Sequence, residues 1–412
     1  MTDIHPGQFA TLLHAYGWAS DTPGHLAALA GDDAAGRRAA LEHLWSAVIH
    51  QGTPWTATPP AAVAVAALIG DARLSGAADA ELRANLLGFL AAVADAGQSG
   101  AAELDDLASP AGIDVDTAVA AALDADDESE LFADEVLANA LYARAVLGCR
   151  DAAPTMLAAA TAALSDPEPT VRAAAAHAVS ACCAVLAAST GAASTGAAST
   201  GAASTGAATA EATTLARRLD ALAAGAGPAE RAALVLAMGE LGLAPRAYLD
   251  DPHPGVRACA ALAPALAADP AATAEILAAL ADPAATDDWF THRLPQMSTR
   301  IRFTLVAALV ARVDDPELLL PAALAIAPIA SPYTVRSDWG PLLHALFAGR
   351  AADTLSPVQR RYLGALVANA DLWDPRNGTV GLVLRDAGLP HDREACRDLA
   401  TGGPSPASRN TR

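Results

Sequence analysis

Lysine is missing altogether: all 26 basic residues of this 412-residue chain are arginine. That excludes the Gly-Lys pair of a Walker-type phosphate loop and any mechanism that runs through a lysine Schiff base. Aromatic residues make up only 4% of the chain, and the β-favouring side chains are too few for an all-β fold. Positive charge is outnumbered, with 46 acids giving a formal net charge of −20 and a pI near 4.7. Binding to nucleic acid or anionic membrane is driven by cations against phosphate, so the balance disfavours both. There is no Gly-x-Ser-x-Gly elbow and no dinucleotide fingerprint. The five cysteines, Cys149, Cys182, Cys183, Cys259 and Cys396, form no C-x-x-C pair and read as reduced core thiols. The uncharged stretches Ser46 to Gly70 and Ala173 to Ala210 lack the sustained Leu, Ile, Val and Phe of a membrane span. The start, Met1-Thr2-Asp3-Ile4-His5-Pro6, has neither the basic residues nor the apolar core of a secretory signal. A soluble, cytoplasmic protein is expected.

What remains is alanine, about a quarter of the chain, within an apolar fraction of 53%. Alanine is the best helix former, and this apolar content excludes a wholly disordered chain. Apolar spacing of three and four residues, broken by short Asp, Pro and Gly clusters, predicts helices along the whole length. Among them are Glu130–Leu147, Thr155–Leu164, Thr170–Leu186, Ala229–Leu241, Pro254–Ala267, Thr299–Arg312 and Pro357–Asn369. No series of strand-like segments stands out.

A repeat runs through the middle of the chain. Asp166-Pro167-Glu168-Pro169-Thr170-Val171-Arg172-Ala173 returns as Asp251-Pro252-His253-Pro254-Gly255-Val256-Arg257-Ala258. The spacing is close to two units of a repeat of about 40–47 residues. A looser third copy, Asp282-Pro283 with Ile301-Arg302, is interrupted by extra residues that include Trp289 and Phe290. The pattern resembles HEAT repeats and the related phycobilisome-lyase-type HEAT family. The end segments, His50-Gln51-Gly52-Thr53-Pro54-Trp55 and Ser356-Pro357-Val358-Gln359 with Asp371-Leu372-Trp373, resemble uncharacterised actinobacterial HEAT-repeat proteins. The resemblance implies an all-α, right-handed α-solenoid of about eight or nine armadillo-like helical pairs. It also implies structural roles for Asp166, Arg172, Asp251 and Arg257, each Arg pairing with an acid or carbonyl of a neighbouring unit. The organisation expected is helical repeats over 1–186, a flexible loop of tandem Ala-Ala-Ser-Thr-Gly over 187–209, helical repeats over 210–401 and a disordered tail over 402–412.

Candidate binding residues fall in three clusters. His50, Gln51 and Trp55 lie in a short link that reads either as a rigid turn or as an exposed ligand-binding turn. The interrupted repeat holds Asp287, Asp288, Trp289, Phe290, His292 and Arg293, a plausible partner surface because Trp and Arg dominate binding hot spots. Tyr333, Arg336, Asp338 and Trp339 form a similar cluster further on, and the repeat length suggests that both project from one side. The histidines are dispersed. His43 and His50 share a helical spacing, but no adjacent acid completes a metal set. No catalytic residue, cofactor or metal is expected. The leading expectation is a non-catalytic scaffold that binds a protein partner of unknown identity on the concave face of the solenoid. An immunity or toxin-neutralising protein is the first alternative. A HEAT-like DNA glycosylase or DNA-binding protein is the second, and the net charge argues against it.

Overall fold

The structure is a computed structural model that describes residues 6–100, 103–194, 201–348, 355–374 and 378–402. It is mostly helical; among the described residues the strands form two antiparallel hairpins of two-residue strands. The chain divides into two compact units, Met1–Leu243 and Ala244–Arg412, so the division falls after the AASTG stretch and not within it.

In unit 1 a one-turn helix, Pro6–Phe9, precedes hairpin β1 (Leu13–His14) and β2 (Gly17–Trp18), then α1 (Thr22–Leu29) and α2 (Ala34–His43). A π-helical turn, Leu44–Val48, leads into hairpin β3 (Ile49–His50) and β4 (Thr53–Pro54). The two-residue connection Gln51-Gly52 has positive φ at both positions, +51° and +82°, as a type I′ hairpin turn requires. Helices α3 (Thr58–Ile69), α4 (Ala80–Gly97), α5 (Val115–Ala125), α6 (Glu135–Ala163), α7 (Pro169–Ser194), α8 (Gly201–Ala223) and α9 (Pro228–Glu240) follow. The apolar window of α7 is long enough to cross a membrane by length and composition, but 61% of it is buried inside the protein, packed against α4, α6 and α9.

Two differences from the sequence reading stand out in this unit. The expected helices Glu130–Leu147 and Thr155–Leu164 are joined from Glu135 onward in one helix, α6, which runs through Pro154, while Glu130 to Ala133 lie in a separate short helix, Ser129–Ala133. Proline removes one backbone bond, but Val146, Cys149, Ala153, Met156 and Ala160 are buried on both sides of it and hold the helix in register. The AASTG stretch is also partly helical: α7 extends to Ser194 and α8 starts at Gly201, with 195–200 outside the described residues. A packed helix needs no new nucleus to propagate, so alanine carries it past a glycine that would weaken an isolated segment. The expected tail over 402–412 lies outside the described residues beyond Gly402.

Unit 2 contains α10 (Pro254–Ala261), α11 (Pro270–Leu280), a one-turn helix Pro283–Asp287, α12 (Ile301–Arg312), α13 (Pro316–Ile326), α14 (Trp339–Phe347), α15 (Pro357–Ala368), α16 (Gly378–Asp386) and α17 (Arg393–Ala400). Asp-Pro pairs start several of them. Asp269 and Asp315 accept the N–H groups of Ala271 and Glu317, both at 2.9 Å, while Pro270 and Pro316 occupy the first helical positions. Ser356 and Gln359 close a reciprocal capping box at the start of α15.

The two motif copies build the same device. Arg172 donates to the carbonyls of Asp166 and Pro167 (2.9 and 2.8 Å) and bidentately to Glu230 of α9 (2.5 and 2.9 Å). Arg257 donates to the Asp251 carbonyl at 3.0 Å and to Glu275 of α11 at 2.8 Å. Each arginine therefore ties its own Asp-Pro turn to an acid on another helix. Glycine replaces threonine in the second copy for a local reason: Phe290 lies over Gly255, where an added Cβ would sit 2.5 Å from its Cζ.

Candidate functional site

In the third motif copy, Arg302 stands where Arg172 and Arg257 stand in the others, and its partners are different. It is buried at 5% exposure and bonds two acids with buried side chains, Asp287 from the interrupting segment and Asp338, the latter at 3.3 Å from Nη2. Burial pushes the Asp338 carboxyl above the usual range, opposed by the Trp339 N–H (2.6 Å) and by Arg302. The two clusters singled out in the sequence thus meet at their roots through one guanidinium. They do not form a shared tryptophan face. Trp339 is 1% exposed, and its indole N–H donates to the Ser331 carbonyl at 2.9 Å. The expectation of Trp339 as a surface residue is therefore corrected. Its helix, α14, needs a large apolar side chain inward beside Leu342, Leu343 and Leu346. Tyr333, at 91% exposure, and Arg336 are what that cluster leaves on the surface.

Beside the Arg302 network the interrupting segment forms an open pocket of about 680 Å³ between Asp287–Leu294 and Met297–Phe303. Phe290, Leu294 and Met297 contribute apolar wall, and His292, Arg293 and Arg300 bring polar groups. His292 and Arg293 are exposed, and Arg293 donates to the Ser298 carbonyl at 2.7 Å, closing the loop on itself. Arg300 reaches Asp287 at 3.2 Å and is otherwise mostly in solvent. Phe290 stacks on His253 at 5.3 Å and anchors the segment to α10. Trp289 is half-buried and does not line the cavity.

The third cluster, His50 to Trp55, is the β3–β4 hairpin and the turn after it. His50 donates through Nδ1 to the Ser46 carbonyl at 2.8 Å and meets the Tyr16 ring edge-on. Gln51 is exposed in its left-handed turn position. Trp55 is half-buried against Phe132, with ring centroids 5.6 Å apart, and its indole N–H is buried without a hydrogen-bond partner. An unmet buried donor costs about 1–3 kcal/mol. Trp55 also lines a second cavity, of about 160 Å³.

An acid does complete a set with His43, which corrects the sequence reading. His14, Asp21 and His43 converge from β1, the turn before α1 and the end of α2, with their ligand-type atoms within 4.8 Å of one another. Local spacing carried no signal for this, because three separate elements supply the residues. The hydrogen bonds decide what the group can do. The Tyr16 N–H donates to His14 Nδ1 at 3.1 Å, so the His14 proton lies on Nε2, which donates to Asp21 at 3.1 Å. A metal on Nε2 would force a proton onto Nδ1, against the Tyr16 N–H, so this ring fits a hydrogen-bonded pair and not a ligand. His43 contacts the Thr22 hydroxyl at 2.9 Å and stacks on His25 at 4.1 Å; burial and His25 lower its pKa to about 4.

The five cysteines are free thiols, four of them buried. Burial pushes Cys149, Cys182 and Cys396 up to about 12 and Cys183 to about 11, far from the thiolate form that a nucleophile or zinc ligand needs. No family model matches the chain, and comparison with curated proteins finds no match.

Proposed function

We propose that this chain is a non-catalytic protein-binding scaffold built as a HEAT-like α-solenoid, and that the segment between Pro283 and Ile301 is a docking site for its partner. One observation carries the reading. The segment that interrupts the third motif copy is held open as a walled cavity by the buried Arg302–Asp287–Asp338 network, with His292 and Arg293 exposed at it. The solenoid reading rests on the Asp-Pro…Val-Arg device, built twice with the same turn carbonyl and an acid from another helix. The non-catalytic reading is supported by the protonated thiols and by His14, whose two nitrogens are both engaged.

The test is capture by immobilised full-length protein, comparing wild type, His292→Ala/Arg293→Ala and a Tyr333→Ala control, with helical content followed by circular dichroism. A partner lost from the double variant alone supports the docking site. Equal retention by the double variant removes it, and turnover of a small molecule with no partner captured removes the scaffold reading. The net charge of −20 favours, as a second reading, neutralisation of a basic protein in the manner of an immunity protein. Capture would then weaken steeply with added salt.

A further inference from the structure

The pocket beside the β3–β4 hairpin belongs to unit 1 and does not depend on the docking segment of unit 2. Leu13, Pro54, Trp55, Phe132, Leu141 and Tyr142 form most of its wall, and no charged residue lines it. Its volume of about 160 Å³ suits one bulky side chain, being close to the ~150 Å³ that holds a benzene ring. Two of its wall residues, Phe132 and Tyr142, are 41% and 39% exposed. Aromatic side chains left open beside an apolar pocket mark a binding surface.

The surface around the pocket carries charge of one sign. Residues 84–143 contain 13 acids and no arginine, lysine or histidine. Seven of these acids fall between Asp124 and Glu135, where α5 gives way to α6. Packing brings this connection to the pocket. Its Leu131, with Ala122 of α5, shares a core cluster with Leu13 and Leu141, which wall the pocket. Glu128 Oε1 lies 2.7 Å from the place a Cβ would take on Gly17, so the connection rests on the β1–β2 turn. On α6, Glu135 stands three residues before Ala138 and seven before Tyr142, and so heads the helix stripe that lines the pocket. Asp124, Asp126, Glu130 and Glu135 are exposed and form no ion pair among the described residues. Arg144, the next cation along the chain, is taken by Asp116 and the Ala108 carbonyl.

We infer that this face docks a basic segment of a partner protein, with one bulky apolar side chain entering the pocket and arginines or lysines on either side of it facing the acids of 124–135. Charge complementarity selects the occupant. An acidic segment with the same anchor would be repelled, and a neutral one would gain from the pocket alone. The acids attract and orient the segment within a Debye length, about 8 Å at physiological salt, and the pocket supplies the anchor. The open rings of Phe132 and Tyr142 also suit a guanidinium laid against them.

The probes are two labelled peptides, Gly-Arg-Arg-Leu-Arg-Arg-Gly and the same sequence with serine in place of leucine, titrated against full-length protein and followed by fluorescence anisotropy. The leucine peptide should bind on the order of tenfold more tightly, because the pocket buries its side chain. Ala138→Leu fills the pocket, and Phe132→Ser removes part of its wall at an exposed position that the fold tolerates. Each should bring the leucine peptide to the level of the serine peptide with helical content unchanged. Glu130→Gln/Glu135→Gln should weaken both peptides severalfold and flatten their salt dependence. Asp314→Asn/Glu317→Gln, which removes the same charge from exposed positions in unit 2, should change neither. Equal binding of the two peptides by wild type, a leucine preference that survives in Phe132→Ser and Ala138→Leu, or equal losses in the two charge variants would each overturn the proposal. Self-association of wild type that Phe132→Ser abolishes, read by sedimentation, would overturn it too, by making a second copy of the chain the occupant.

Discussion

Replacing Arg302 with leucine is expected to destabilise unit 2 by about 3–5 kcal/mol, because it strands the buried Asp338 carboxylate and leaves Asp287 with the exposed Arg300 alone. Arg302 is 5% exposed, and the side chains of Asp287 and Asp338 are 5% and 0% exposed. At 3.3 Å and an effective dielectric near 20, one such pair attracts by about 5 kcal/mol, much of it offset by desolvation while the pair is intact. Without the guanidinium that desolvation is uncompensated. The Asp338 carboxyl then takes up a proton more readily, which gives a second signature. Burial already holds Asp338 above the usual carboxylate range, and loss of Arg302 pushes it further up, so the folded variant binds more protons than the folded wild type. Its deficit is therefore largest near neutral pH and shrinks as pH falls toward about 4. Hydrogen exchange at the α12 and α14 amides, with urea titration of the full chain, reads unit 2 separately from unit 1. Adding Asp287→Asn and Asp338→Asn should restore part of the loss at neutral pH. A loss below about 1 kcal/mol, or a deficit that does not change with pH, would refute the reasoning.

Three further outcomes follow from the same geometry. Arg172→Ala should cost about 3 kcal/mol and Arg257→Ala nearer 1 kcal/mol, because Glu230 is 5% exposed while Glu275 is 27% exposed; equal losses in urea unfolding would contradict the burial argument. Gly255→Ala should lower the melting temperature by driving a methyl into the Phe290 ring, and Phe290→Leu should recover most of it; no recovery would place the strain elsewhere. Burial holds His43 and His177 at about 4, so the unfolded chain protonates first as pH falls below 6.5. Stability present above 6.5 is then lost down to about 4, with a slope of up to about 1.4 kcal/mol per pH unit from His177; a His177→Leu variant with an unchanged slope would refute this assignment.

The parts legible in the sequence were those with a local physical signature. Asp-Pro at a helix start is such a signature, because capping and the missing proline N–H act within four residues. Arg172 and Arg257 bind turn carbonyls five or six residues upstream, a contact short enough in sequence to leave a recurring pattern. Trp339 was misplaced because Ser337-Asp338-Trp339-Gly340 looks polar in isolation; its spacing to Leu342, Leu343 and Leu346 was the better guide. Asp338 looked like surface charge for the same reason, and only Arg302, 36 residues away, explains its burial. The meeting of Asp21 with His14 and His43, and the cavity walled by Leu13, Trp55 and Leu141, depend on packing between distant elements. No residue spacing encodes them.

The missing lysine has a structural meaning beyond the mechanisms it excludes. Arg83, only 3% exposed in its side chain, binds the carbonyls of Leu74 and Gly76 and both oxygens of Asp166 at once. Arg150 spans the Gly97 and Ser99 carbonyls, and Arg144 joins the Ala108 carbonyl to Asp116. Each arginine fastens a helix end or turn to a distant segment, using the planar fork that an ammonium point charge lacks. An alanine-rich core buries little apolar area per residue, so such fasteners carry weight that larger side chains would carry elsewhere. The same logic separates structure from binding among the arginines. Those with several donors engaged in backbone or buried acid hold the fold. Arg293 and Arg336 are exposed and little used internally.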